Sequence, residues 1–199
     1  MDVRSSVWGL ALELLLPMYL ANAMPVVASK LPFLARFNEP LDEVLFGKNK
    51  TFRGLFAAMF GGGVGMILVY FLFGLFYLNS PIVNWEHLNY LRFVSIFYVI
   101  SVWGIWLGLG AIVGDLVKSF FKRRFKIPPG QPWFPFDQLD FILGGFFFYY
   151  LFKSYASTSA WHWSEKELIV LFIALLITPP LHLLANVIAY KLGWKKVWW

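Results

Sequence analysis

The charged residues of this chain are concentrated in one stretch, Gly114 to Asp140, within a sequence that is otherwise mostly apolar and aromatic. If Leu107 to Arg124 forms one helix, four polar side chains lie on one face of it, because they recur at i, i+3, i+4 and i+7. These four are Asp115, Lys118, Ser119 and Lys122. Arg123, Arg124 and Lys126 follow directly and add further positive charge.

Two more carboxylates, Asp137 and Asp140, follow a turn predicted at Pro128-Pro129-Gly130. They are three residues apart at the start of an apolar run, so they also share one helix face. Lys and Arg neutralise phosphate charge, and clustered carboxylates hold Mg²⁺ through hard oxygen ligands. The pattern therefore predicts a site for a polyphosphate and a metal ion, with Asp115, Asp137 and Asp140 as the metal ligands.

The alternative is a basic loop that only sets the orientation of a membrane protein, since positively charged cytoplasmic loops are common. Such a loop needs Lys and Arg, but it does not need aspartates beside them. The ordered aspartates therefore favour the binding site over a purely topogenic loop.

The composition indicates a membrane protein. Of 199 residues, 59% are hydrophobic and only 14% are charged, and the net charge is +6. A soluble domain of this length carries more charge on its surface. The length suits a single integral-membrane domain, residues 1–199. Cys is absent, which excludes disulfides, a thiolate nucleophile and Cys-based metal sites.

Apolar runs long enough to cross a bilayer as helices predict an all-α, polytopic membrane protein with about five transmembrane helices. The runs are Val7–Ser29, Gly54–Leu78, Phe93–Val113, Leu139–Ala160 and Glu167–Tyr190. All but four of the 17 Lys and Arg residues then lie on one side of the membrane. The exceptions are Arg4, Arg92, Lys153 and Lys166. The positive-inside rule places the N-terminus outside, and the C-terminus and the Gly114–Asp140 stretch in the cytoplasm.

Residues that can contact a ligand also occur at the predicted cytoplasmic ends of the first and second spans. Asn22 lies beside Pro25, whose ring frees the carbonyl four residues earlier in the first span; a simple proline kink is the alternative. Lys50 and Arg53 run straight into the second span and share a face if that helix starts early. Their alternative role is topogenic charge.

The remaining polar groups and the glycines have simpler interpretations. His182 and Asn186 are i, i+4 in the last span, so they share one face, and a lone His in an apolar helix is usually a packing residue. Glu13 interrupts the first span and is left outside the site. Neither Gly61–Gly65 nor Gly108–Gly114 has the spacing of a phosphate or dinucleotide loop, so both predict close helix packing.

The polar stretch resembles the signature of CTP-dependent lipid cytidylyltransferases, and within that group the chain is similar to the archaeal CDP-archaeol synthases. The similarity covers nearly the whole chain, in the order of the family's motifs. One position departs from the family pattern: Lys48 stands where an acidic residue usually follows the first Gly of the second loop. The matching segments are Leu16-Pro17-x-Tyr19-Leu20-Ala21-Asn22-Ala23-x-Pro25, Gly47-x-x-Lys50-Thr51-x-Arg53-Gly54, Gly114-Asp115-x-x-Lys118-Ser119-x-x-Lys122-Arg123-Arg124, Asp137-Gln138-x-Asp140 and His182-x-x-x-Asn186-x-x-Ala189-Tyr190.

The resemblance implies a Mg²⁺-dependent enzyme of the cell membrane. It would join CMP from CTP to 2,3-bis-O-geranylgeranyl-sn-glycerol 1-phosphate, giving CDP-archaeol and pyrophosphate. The implied catalytic residues are Asp115, Lys118, Lys122, Asp137 and Asp140. The implied substrate-binding residues are Asn22, Pro25, Lys50, Arg53, Ser119, Arg123, Arg124 and Asn186, and His182 is a weaker candidate than Asn186.

The expected partners are CTP, a prenylated glycerol phosphate and membrane lipids, with no nucleic acid; the oligomeric state stays open. Two alternative functions remain at this point. One is a general phosphatidate cytidylyltransferase, and the other is a membrane transporter for an anionic substrate, which broken helices would suit. A scaffold without chemistry would leave the ordered carboxylates unexplained.

Overall fold

The computed structural model describes residues 6–78, 90–128, 131–156, 163–194 and 197, with the backbone alone at 74–78, 90–100 and 155–156. Long α-helices make up most of these ranges: α1 (Val7–Ala28), α2 (Phe52–Leu78), α3 (Tyr90–Arg124), α4 (Phe136–Ala156) and α5 (Glu165–Lys191). A short 3-10 helix, Pro32–Phe37, lies between α1 and α2. The described ranges contain no β-strand, so the all-α prediction is confirmed.

The helices agree with the predicted spans, with one informative difference in α3. The predicted third span ends at Val113, but α3 continues to Arg124 as one helix of 35 residues. The condition for a polar face at Asp115 and Lys118 is therefore met. Pro129 and Gly130, the centre of the predicted turn, lie outside the described residues, as do residues 157–160 of the predicted fourth span.

Four of the long helices are long and apolar enough to cross a membrane: α1, Phe52–Phe73 of α2, Ser101–Arg124 of α3, and α5. The prediction of about five spans thus has support from length and composition at four helices. In α4, Asp137, Asp140 and Lys153 lower the hydropathy. With 21 residues, α4 is still about 31 Å long, enough to cross the hydrocarbon core of a bilayer.

The distribution of apolar residues is that of a protein surrounded by lipid. Residues from all the α-helices contribute to one buried core, including Leu14, Met66 and Phe141. Large apolar side chains also cover the outer surface; Phe60 and Phe172 are 62% and 63% exposed. A surface of this kind would be an aggregation liability in water, whereas lipid tails solvate it.

The crossing of α3 and α4 brings two of the predicted catalytic aspartates together. Gly114 and Gly144 lie back to back there, and a Cβ at Gly144 would lie 2.7 Å from the Cα of Gly114. A Cβ at Gly114 would overlap the carbonyl oxygen of Asp140. The backbones of α3 and α4 are therefore in contact next to Asp115 and Asp140. This contact confirms the prediction of close helix packing at Gly114.

A second polar cluster lies several turns further along α4. The Tyr149 hydroxyl donates a hydrogen bond to Glu167, and the Lys153 ammonium lies 2.7 Å from the other carboxylate oxygen of Glu167. Ser164 and Glu167 form a capping box that begins α5. Glu13 of α1 is close enough to interact electrostatically with Tyr149. This cluster joins α4 to α5, with Glu13 of α1 nearby.

Candidate active site

A cavity of about 310 Å³ lies where one end of each α-helix meets the connections between them. Its lining mixes polar and apolar side chains and includes most of the residues singled out in the sequence. From the helices come Asn22, Pro25, Asp115, Lys118, Lys122, Asp137, Asp140 and Asn186, and the connections add Lys50 and Gln131. Asn22 and Asn186, which are 164 positions apart in the chain, thus share one cavity.

Lys118 lies at the centre of this cavity's charges. Its Nζ is 2.9 Å from Asp115 Oδ1, 3.2 Å from Asp137 Oδ1 and 2.6 Å from Asp140 Oδ2. The helical period places Lys118 one turn after Asp115 on α3, and α4 presents Asp137 and Asp140 on the facing side. All the predicted metal ligands therefore converge on one ammonium group.

Two further lysines complete an alternating network. The Lys122 Nζ lies 3.1 Å from both Asp137 oxygens and donates to the Gln131 carbonyl at 2.6 Å. The Lys50 ammonium donates to Asp115. Asp140 and Lys122 are each only 8% exposed. Burying such charges is costly unless they are paired, and here each carboxylate has at least one ammonium partner.

Asp137 is held in place from several directions. Its Oδ2 accepts a hydrogen bond of 2.6 Å from the Trp133 backbone N–H, at the start of α4. Burial alone would raise the pKa of Asp137, but Lys118, the Trp133 N–H and Lys122 together hold that pKa below its ordinary value. Asp137 is therefore ionised at neutral pH and available as an acceptor or ligand.

The donor set suits a divalent cation in its chemistry. Carboxylate oxygens are the hard ligands that Mg²⁺ prefers, and oxygens of three aspartates lie within 3.2 Å of a single point, the Lys118 Nζ. With that ammonium at the centre, the described residues contain no group of three or more His, Cys, Asp or Glu side chains arranged to hold a metal ion. A metal at this point requires the Lys118 ammonium to move aside.

Other predicted ligand residues from α1 and α5 also face the cavity. Asn22 and Pro25 line it from α1, and Asn186 lines it from α5. The Asn186 side-chain nitrogen lies 3.5 Å from His182 Nδ1, and His182 lines the cavity as well. His182, which sequence analysis ranked below Asn186, therefore lies in the same wall of the cavity.

A smaller cavity of about 130 Å³ lies on the other side of Lys118 and Lys122. Ser119 and Arg123 line it, together with Gly47 and Lys48. The Ser119 hydroxyl donates to the Asp115 carbonyl at 2.8 Å, so its hydrogen is engaged within α3. The predicted phosphate-binding residues of α3 are thus divided between two cavities.

Arg53 and Arg124 lie apart from both cavities, although the sequence grouped them with the substrate-binding residues. The shared face proposed for Lys50 and Arg53 requires a helix that includes both, but α2 begins only at Phe52. Arg124 places its guanidinium 4.6 Å from the centre of the Phe120 ring. Neither arginine contacts the lysine–aspartate network.

Sequence analysis missed several polar residues of the main cavity. Asn49, Thr51, Gln131 and Gln138 all line it. The Gln138 Oε1 atom is buried and has no hydrogen-bond partner among the described residues, so it is available to a ligand. Thr51 and Gln138 stood within the quoted motifs, which was their signal in the sequence. Asn49 and Gln131 lie in irregular connections, which follow no periodicity.

An apolar cavity of about 540 Å³ lies between α1 and α5 and shares part of its wall with the main cavity. Asn22, Val26, His182 and Asn186 line both. The rest of the lining is mostly apolar, with Tyr19, Leu181 and Ile188 among its residues. The charged site therefore adjoins an apolar groove on the flank of the helix bundle.

Comparison with solved structures places this architecture among known proteins. The chain superposes with a TM-score of 0.60 on a structure described as an intramembrane enzyme for archaeal membrane lipid biosynthesis. The two sequences are 30% identical, and the match covers 89% of this chain and 92% of the other. Fold and site together thus define an intramembrane enzyme of lipid biosynthesis.

The sequence comparisons specify the family. Residues 7–199 match the family model described as CarS-like, CDP-archaeol synthase. The CDP-archaeol synthase from Thermofilum pendens is 35% identical to this chain, and the match covers 98% of this chain and 80% of the relative. The CDP-archaeol synthase from Methanocaldococcus jannaschii is also 35% identical, and the match covers 93% of both chains. The relative from Pyrococcus horikoshii is 33% identical, over 93% of both chains. The chain belongs to the CDP-archaeol synthase family and is a transferase.

Proposed function

We propose that this protein transfers CMP from CTP to a prenylated glycerol phosphate, 2,3-bis-O-geranylgeranyl-sn-glycerol 1-phosphate, giving CDP-archaeol and pyrophosphate. Family membership supports this reaction, because the family model and the relatives are described as CDP-archaeol synthases. The observation that carries the proposal is that the lysine–aspartate cavity adjoins the apolar groove between α1 and α5 and shares part of its lining. A nucleotide and a lipid phosphate need such adjoining charged and apolar compartments.

The reaction requires no protein nucleophile. A lipid phosphate oxygen attacks the α-phosphorus of CTP, the bond to the bridging oxygen breaks, and pyrophosphate leaves in line. The main task of the site is to bring two anions together, and Lys50, Lys118 and Lys122 supply positive charge for this. Asp115, Asp137 and Asp140 would hold Mg²⁺, which supplies further positive charge at the phosphates when bound.

The apolar groove would hold the prenyl chains while the phosphate reaches the charged cavity. Most of its residues belong to α1 and α5, whose outer faces carry exposed apolar side chains such as Trp8 and Phe172. The lipid can then enter sideways and keep most of its chains in the membrane. Asn22 and Asn186, which line both cavities, lie where the glycerol and phosphate would pass.

We expect the protein to prefer the ether-linked, geranylgeranylated acceptor over straight-chain diacyl phosphatidate, in a graded way. An apolar groove discriminates weakly, by about 1–3 kcal/mol for a methylene's difference. Polar recognition near the glycerol contributes more, because an ester carbonyl needs a hydrogen-bond partner that an ether does not. Purified protein with labelled CTP, Mg²⁺ and both lipids in mixed micelles, at equal surface concentration, measures the preference.

The same assay tests the proposed function itself. Transfer of label into the prenylated lipid, dependent on Mg²⁺, supports it. Equal or faster transfer to the diacyl lipid would make the protein a general phosphatidate cytidylyltransferase. Absence of transfer to either lipid, by protein that is folded in detergent, would contradict the proposed reaction.

We expect the charged cavity to face the cytoplasm, because CTP is cytoplasmic and because the positive charges cluster on that side. The chain has no Cys, so a Cys introduced at the exposed Gln131 provides a unique label. An impermeant maleimide should label Gln131→Cys only after the membrane is opened. Glu165→Cys, exposed in the first turn of α5, is the matched position on the other side and should react in intact cells. Labelling of Gln131→Cys from outside would reverse the orientation.

A further inference from the structure

The lysines of the main cavity differ in how many carboxylates they contact. Lys50 contacts Asp115, and Lys122 contacts Asp137. Lys118 contacts the carboxylates of Asp115, Asp137 and Asp140 at the same time. Its side chain is 13% exposed, so the ammonium group is held mainly by these carboxylates.

A divalent cation bound by the same carboxylates would occupy nearly the same position as this ammonium. The carboxylate oxygens lie 2.6 to 3.2 Å from the Lys118 Nζ, whereas Mg²⁺ takes oxygen ligands at about 2.0–2.1 Å. Small movements of the side chains would close that difference. The two cations exclude each other, however, because they need the same oxygen atoms and repel each other at short range.

Lys118 has a second environment within reach, because it also lines the smaller cavity. The described residues that line that cavity include Lys48, Lys122 and Arg123 and no carboxylate. The Nε atom of Arg123 is buried there without a hydrogen-bond partner among the described residues. These features suit an anion with several oxygens, such as a phosphate group.

We propose that Lys118 is an exchangeable counter-ion. It neutralises the three carboxylates until a divalent cation takes them, and its ammonium group then turns to a phosphate in the smaller cavity. Metal binding releases the Lys118 ammonium from the carboxylates, and phosphate binding uses the released ammonium. The two binding events therefore favour each other. The identity of the two ligands rests on the proposed function; the exchange itself rests on the contacts of Lys118.

The test is the affinity of purified protein for Mn²⁺ without nucleotide, measured by electron paramagnetic resonance. Lys118→Met removes the competing charge and keeps the side-chain length, so it should bind Mn²⁺ about tenfold more tightly than wild type or more, within the usual range of coupling between sites. Lys118→Arg keeps the competing charge and should bind like wild type. Lys122→Met, which removes an equal charge that contacts Asp137 alone, should raise the affinity by a clearly smaller factor than Lys118→Met does.

Thermal stability provides a second measurement. Lys118→Met leaves three neighbouring carboxylates without their shared partner, so its melting temperature should fall and should recover with Mn²⁺. Lys153→Met, which breaks the ion pair with Glu167 in the other cluster, should not be rescued by Mn²⁺. If Lys118→Met cannot be purified folded, Lys118→Gln takes its place in both measurements.

The proposal is overturned if Lys118→Met and Lys118→Gln bind Mn²⁺ no more tightly than wild type, or if Lys122→Met gains as much affinity as they do. Adding Asp140→Asn to Lys118→Met should abolish the gain, and an undiminished gain would place the metal elsewhere. The proposed function is tested separately by transfer of label from CTP in wild type. Wild-type transfer without a Lys118 effect on Mn²⁺ affinity would refute only the exchange.

Discussion

Asp137→Asn and Asp140→Asn are each expected to lose nearly all cytidylyl transfer while the protein still folds. An amide keeps the shape of the side chain but removes the charge that would hold Mg²⁺ and that pairs with Lys118. Metal and carboxylates act as a unit, so losing one ligand should remove much of the stabilisation of the transition state. We expect a fall in kcat/KM of at least about 100-fold, or about 2.7 kcal/mol.

The measurement is transfer of label from CTP to the prenylated acceptor by purified variants, normalised to folded protein. Asp42→Asn is the matched control, because among the described residues the Asp42 side chain accepts hydrogen bonds only from the backbone N–H groups of Val44 and Leu45. Asn forms the same kind of turn, so this variant should keep nearly full activity. Activity within about tenfold of wild type for both cavity variants, or about 1.4 kcal/mol, would exclude the aspartates as metal ligands.

Gly114→Ala should disrupt the site without changing any of its charges. The added Cβ would overlap the Asp140 carbonyl oxygen and lie 2.9 Å from the carbonyl carbon. Because the obstacle is backbone, α3 and α4 must separate, which typically costs about 1–3 kcal/mol of stability. The same separation moves Asp115 away from Asp140, and a misplacement of about 1 Å can cost about 100-fold in rate.

The melting temperature and the activity per folded molecule should therefore both fall in Gly114→Ala. Gly63→Ala on α2 is the matched control, since its Cβ would lie 3.2 Å from a side-chain atom of Ile105, which can shift. We expect a small change in melting temperature and nearly normal activity for that variant. A Gly114→Ala protein with wild-type stability and activity would show that the close α3–α4 crossing is not needed to position the carboxylates.

The helices of this protein could be predicted from the sequence because each is a long apolar run. Such runs form helices in lipid, where every backbone polar group must be satisfied within the segment. The polar face of α3 could also be predicted, since Asp115, Lys118 and Lys122 recur with the helical period. The exact number of membrane-crossing helices was harder to predict from the sequence, because α4 carries charged residues of the site within an otherwise apolar helix.

The site itself could be predicted from the sequence only in part. Composition and spacing identified Asp115, Asp137 and Asp140 as a group, and the structure brings them to one point. Arg53 and Arg124 carry the same charge as the cavity lysines and lie close to them in the sequence, yet they lie outside the main cavity. Charge and local spacing do not distinguish such residues, because the direction of a side chain at a helix end depends on where the helix begins and on what packs beside it.

What the sequence alone determined are properties that depend on neighbouring residues: helices from apolar runs, shared faces from the helical period, and the chemistry of a phosphate and metal site from residue types. What only the tertiary structure decided depends on residues far apart in the chain. The contact of Gly114 with Gly144 sets the distance between α3 and α4, and the α1–α2 connection brings Lys50 to Asp115. The central position of Lys118 among three carboxylates follows from that packing, because no local pattern specifies which of several nearby lysines the facing helix will enclose.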